Sequence, residues 1–132
     1  MLLTFKKQFV DLICQGTKIH TIRTDKSNRW KVGMKIHFWS GNPRNPSKHP
    51  YQFAEGIVKQ IVQIEIMPEI NCIQLGSRPY KYNGDIEQIA LNDGFRDWEE
   101  MKQFFPDHFK GNLIIWEQPI RKMACTFKKK FS

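Results

Sequence analysis

Along the 132-residue chain, hydrophobic positions change period several times, and each change marks an element. Leu2-Leu3-Thr4-Phe5 reads as a short strand. Phe5, Phe9, Leu12 and Ile13 then recur at helical spacing, which predicts an amphipathic helix over 6–15 closed by Gly16. Ile19, Thr21, Ile22 and Thr24 favour a strand at about 18–24. After a polar turn, Met34, Ile36 and Phe38 alternate with Lys35, His37 and Trp39, the pattern of a half-buried strand over 34–40. Gly41 to Pro50, with three prolines, is a loop.

Phe53 to Ile66 is a long β-rich run whose alternation breaks at Lys59-Gln60, predicting a bulge or a strong bend. Pro68 ends it. Short strands are expected at 71–75 and, as an edge segment, at Tyr80–Tyr82. Asp85-Ile86-Glu87-Gln88 has the form of a capping box opening a helix that stops at Asn92-Asp93-Gly94. Asp97-Trp98-Glu99-Glu100 opens another, with Trp98, Met101, Phe104 and Phe105 on its buried side and Pro106 beyond it. Gly111 to Gln118 is apolar enough to be a central strand. The strands follow one another too closely for a doubly wound parallel sheet. The order predicts an α+β fold: a small, mostly antiparallel β-barrel flanked by about three helices, over residues 1–118. Residues 119–132 read as a basic C-terminal tail ending in Lys128-Lys129-Lys130.

Charge changes this picture more than composition does. Residues 1–50 hold ten Lys/Arg against two Asp/Glu, residues 51–118 hold six against eleven, and residues 119–132 hold five against none. The net +8 is thus confined to the two ends of the chain, which a fold could join into one basic face suited to a polyanion, nucleic acid first. Three scattered cysteines without a CxxC pair indicate neither a disulfide framework nor a zinc site, and reduced thiols point to the cytoplasm. His20, His37, His49 and His108 have no metal-ligand spacing, so no metal or cofactor is expected. No apolar run approaches about 18 residues and no signal peptide is visible, so no membrane association is expected.

The densest chemistry lies in Gly16-Thr17-Lys18-Ile19-His20-Thr21-Ile22-Arg23-Thr24-Asp25. In a strand, Ile19, Thr21 and Arg23 share one face and His20, Ile22 and Thr24 the other. Lys18 joins Thr21 only from the turn before the strand. A neutral lysine there could take the threonine's hydroxyl proton, and burial would lower its pKa. The plainer alternative is an exposed basic edge strand. Arg29, Trp30 and Trp39 are further candidates for phosphate contact and base stacking, against core packing for the tryptophans. An Arg23–Asp93 salt bridge is the structural alternative for Arg23.

Taken together, Gly-x-Lys-x-x-Thr-Ile-Arg (16–23), Trp-x-x-Gly (30–33), Ile-Ala-x-x-Asp-Gly-Phe (89–95), Trp98 with Phe104-Phe105, and Leu-Ile-Ile-Trp (113–116) resemble the ASCH domain, a PUA-like β-barrel family tied to RNA. The resemblance covers residues 2–118. It implies a cleft lined by the Lys18–Arg23 strand and the Asp93 turn, binding RNA or a modified nucleoside. Some members are amidohydrolases that deacylate N4-acetylcytidine with a lysine, a threonine and a glutamate, and others are reported to cut RNA. By motif position those three roles fall on Lys18, Thr21 and Asp93, with a shorter carboxylate in place of glutamate. The candidate RNA- or substrate-binding residues are Arg23, His20, Arg29, Trp30 and Trp39. RNA or nucleoside binding is the favoured function, with the amidohydrolase as alternative and a monomer as the favoured state.

Overall fold

One strand belongs to two sheets. The computed structural model describes residues 1–81 and 84–121, and in it β4 (Tyr51–Met67) runs 17 residues, about three times the usual strand length. Its register shifts between Val58 and Gln60, where the break in alternation predicted a bulge. Before the shift β4 pairs with β3 (Lys35–Ser40) and with β8 (Ile120–Arg121). From Val58 onward, across the shift, β4 pairs with β7 (Phe109–Trp116), and from Ile64 also with β5 (Cys72–Leu75). β1 (Leu2–Phe5) adds in parallel to β3, β2 (His20–Arg23) adds antiparallel to β7, and β6 (Arg78–Lys81) lies on β5. The described residues form eight strands and three α-helices, mostly antiparallel and α+β as expected. β8 falls within the segment read as tail. Tyr82, Cys125 and the lysines Lys128–Lys130 lie outside the described residues.

The barrel is open. Among the described residues no ladder joins β1 to β2, so these two strands are facing edges of a seam. A side chain bridges it: Arg23 Nη2 donates to the Thr4 carbonyl at 2.8 Å. Behind the seam the interior is filled by aromatic rings. Phe38 meets Trp116 edge-on at 4.9 Å between centroids, and Phe5 packs on both. Such contacts add to the burial of each ring.

The helices α1 (Lys7–Gln15), α2 (Gly84–Asn92) and α3 (Trp98–Phe104) cover one side. α1 buries Phe9, Val10, Ile13 and Cys14, and α2 buries Ile86, Ile89 and Ala90. α3 starts as its sequence predicts, the Asp97 carboxylate accepting from the Glu100 N–H at 2.8 Å. α2 begins one residue before the proposed cap, which puts Asp85 in its first turn. Trp98 is fully buried, and its indole N–H donates to Asn71 Oδ1.

Candidate functional site

Two helix ends of the same form build the site. At the end of α1, Gly16 takes φ 83°, with its N–H on the Ile13 carbonyl and that of Thr17 on Leu12. At the end of α2, Gly94 takes φ 94°, with its N–H on Leu91 and that of Phe95 on Ala90. Both are Schellman turns, which need a residue at ease in the left-handed region. The Ile19 N–H then donates to the Asn92 carbonyl at 2.8 Å, tying one helix end to the other. This backbone bond is what brings Lys18 to Asp93, 75 residues along the chain.

Lys18 is 3% exposed. Its Nζ donates to the His20 carbonyl at 2.8 Å, to the Asp93 carbonyl at 2.5 Å and to Asp93 Oδ1 at 3.3 Å. Three acceptors match the three N–H donors of an ammonium. The Asp93 carbonyl is also one of the unpaired carbonyls at the end of α2, where a cation is favoured. Burial lowers the Lys18 pKa from its ordinary value, and the charge and hydrogen bond of Asp93 oppose that without reversing it. On its other side the lysine lies over the Phe9 ring, 5.0 Å from the centroid. His20 Nδ1 sits 2.8 Å from Asp93 Oδ1, so one carboxylate oxygen serves both side chains. A Cβ on residue 94 would stand 2.9 Å from Lys18 Cδ and 3.0 Å from Phe9 Cδ1.

Arg23 sits on the strand face of Thr21. Its Nε donates to Thr21 Oγ1 at 3.2 Å while Nη2 bridges the seam to Thr4, and the guanidinium lies 5.0 Å from the Phe5 centroid. Burial lowers its pKa, with Asp93 acting in the opposite sense. The Arg23–Asp93 salt bridge, the structural alternative for Arg23, is not formed, because Asp93 is taken by Lys18 and His20.

Lys18, Thr21, Arg23 and Asp93 all line one cleft of about 250 Å³ at the seam, walled by Phe5, Phe9, Phe95, Phe104 and Phe105. Lys6 stands at it, its ammonium 4.9 Å from the Phe104 centroid. The strand is therefore not an exposed basic edge: Lys18, His20 and Thr21 are all buried. His20 holds Asp93 and does not itself line the cleft. Trp30 is in the core, Arg29 is exposed outside the cleft, and Trp39 is half-buried on β3 opposite Thr4. The sequence reading missed the ring wall. Its trace is the recurrence of Phe at 5, 9, 95 and 104, which looked like core periodicity because Phe5, Phe9 and Phe95 are core residues as well.

No family model and no curated protein matches this sequence. Solved structures do. The crystal structure of ASCH from Zymomonas mobilis matches with a TM-score of 0.56 over 99% of this chain and 78% of that one, at 12% identity. Two mutant forms of ZmASCH match with the same score at 12% and 14% identity, covering 99% and 98% of this chain and 81% and 76% of theirs. The chain has the ASCH fold. Within that ASCH frame, no group of His, Cys, Asp and Glu among the described residues could hold a metal ion, and none of the helices is long and apolar enough to cross a membrane.

Proposed function

We propose that the seam cleft binds a single nucleobase, presented by RNA or as a free nucleoside. The observation that carries this is the pairing of a wall of phenylalanine rings with Thr21, Arg23 and the Lys18–Asp93 pair in one small space. Rings offer stacking to the base faces, and the polar groups offer hydrogen bonds to its edge. At about 250 Å³ the cleft is below the roughly 300–1,000 Å³ of sites for drug-sized ligands, which favours one planar ring system over a dinucleotide. Lys6 at the mouth would meet a phosphate or ribose. Cys14 and Cys72, both buried and in no disulfide among the described residues, suit a cytoplasmic protein.

A second reading is deacylation of an N4-acetylcytidine-like amide, and one observation favours it: Thr21 and a lysine whose pKa is lowered share the cleft. In that reaction neutral Lys18 would take the Thr21 proton. The threonine oxygen would attack the acyl carbon, the amine would leave with the proton, and water would cleave the ester. Against it, the Thr21 hydroxyl is held by Arg23, and Lys18 has all three of its N–H groups directed at other acceptors. Binding is therefore the favoured reading.

Incubation with N4-acetylcytidine and product analysis separates the two. Binding without cytidine release is expected. Release abolished by both Lys18→Ala and Thr21→Ala would instead establish the hydrolase. RNA binding that fails to weaken with added salt would count against contacts to a phosphate backbone.

A further inference from the structure

A second depression has a volume of about 460 Å³. It lies between the turn after β2 (Thr24 to Asn28) and the outer parts of β4, β5 and β7. Ladder register relates its lining to that of the base cleft, through Arg23 and its pairing partners. Arg23 of the cleft is opposite Asn112, Asn112 is opposite Gln63, and Lys110, Glu65 and Gln74 are opposite one another in the next row. Residues paired in this way project from the same side of the sheet. The side bearing Thr21 and Arg23 at the seam is thus the side bearing carboxamides and Lys110 beyond it.

The groups in this groove differ in how much of their bonding capacity is already used. Asp25 accepts from the Arg29 and Trp30 N–H groups at 2.8 and 3.0 Å, and Glu65 pairs with His108. Both acids are therefore occupied within the fold. By contrast the side chains of Lys26, Asn28, Gln63, Lys110 and Asn112 make no hydrogen bond or ion pair among the described residues. The available chemistry is three carboxamides, each with paired donor and acceptor, and two ammonium groups. A carboxamide matches the donor–acceptor edge of a base, and an ammonium matches a phosphate.

We propose that this groove receives the neighbouring nucleotide of a single-stranded RNA whose selected base occupies the seam cleft, with Gln63 and Asn112 on the base edge and Lys26 or Lys110 on the linking phosphate. This rests on the nucleobase reading of the cleft and extends it: the ligand is an oligonucleotide and not a free nucleoside.

The test compares the four ribonucleosides with the four homotrinucleotides on the full chain. Affinity is read by calorimetry, and the side-chain amide signals of Asn28, Gln63 and Asn112 are read by ¹⁵N NMR. The preferred trinucleotide is expected to bind roughly tenfold tighter than its nucleoside, the lower range for one bidentate base contact. It should shift those amide signals where the nucleoside does not. Gln63→Ala with Asn112→Ala should erase the advantage and leave nucleoside affinity unchanged. The NMR readout on the unaltered protein stands even if that double variant folds poorly. Equal affinity of nucleoside and trinucleotide, with unmoved amide signals, would overturn the groove and leave the base cleft standing. Absence of binding by every nucleoside and trinucleotide would overturn the base cleft, and the groove with it.

Discussion

Gly94→Ala tests how tightly the Lys18–Asp93 pair depends on one missing side chain. The substitution carries two costs. The first is conformational: φ of 94° is unfavourable for an L side chain by about 1–2 kcal/mol. The second is contact. The new Cβ would stand 2.9 Å from Lys18 Cδ and 3.3 Å from Lys18 Cβ, so the root of the lysine is blocked as well as its stem. Lys18 must then draw back from Asp93, and a hydrogen bond to a charged group contributes about 1.5–3 kcal/mol. Gly33→Ala is the matched control. Gly33 has φ of 90° and open space where its Cβ would be, so only the first cost applies. The expected difference between the variants is about 2–3 kcal/mol, or roughly 10 °C in melting temperature for a domain of this size. Calorimetry or urea unfolding reads it directly. Equal destabilisation by the two substitutions would refute the close packing of Lys18 against the Gly94 turn.

Lys18 holds its proton less firmly in the folded chain than its ordinary value of 10.5, so between the lowered pKa and 10.5 the unfolded chain binds more protons. Stability should therefore rise with pH across that window relative to Lys18→Met, measured by urea melts. A stability difference that instead falls as pH rises would show that Asp93 outweighs desolvation. Asp93→Asn leaves the buried lysine without its counter-charge and should cost about 3 kcal/mol or more in thermal unfolding. Arg23→Lys cannot hold Thr21 Oγ1 and the Thr4 carbonyl with one planar fork, so it should lose about 1 kcal/mol of stability and weaken nucleoside binding in calorimetry.

The elements were legible because their signals are local. Gly16 and Gly94 marked helix ends that require positive φ, the Lys59-Gln60 break marked the bulge of β4, and the apolar run in β7 marked a central strand. The resemblance placed Lys18, Thr21, Arg23 and Asp93 in one cleft, and they do meet there. Their wiring was not legible. Which partner Asp93 takes is set by the bond between the Ile19 N–H and the Asn92 carbonyl, a contact with no local sequence signature. His20 alternates away from Thr21 in the strand, yet its ring returns to Asp93 because the α2 end packs on that side. For Trp30 stacking and core packing were both open; the Asp25 carboxylate accepts the backbone N–H groups of Arg29 and Trp30, and the indole lies in the core. The seam itself depends on two strands failing to pair, which no periodicity reports.

The central claim is that the seam cleft holds one nucleobase. Its most direct measurement is an NMR titration of the full chain with the four ribonucleosides, following the backbone amides of Thr21, Arg23, Gly94 and Phe95, all at the cleft or the turn beneath it. One nucleoside should produce saturable shifts at these four positions, and Thr21→Val and Arg23→Lys should weaken the response. Shifts from no nucleoside, or shifts confined to residues away from the seam, would contradict the account.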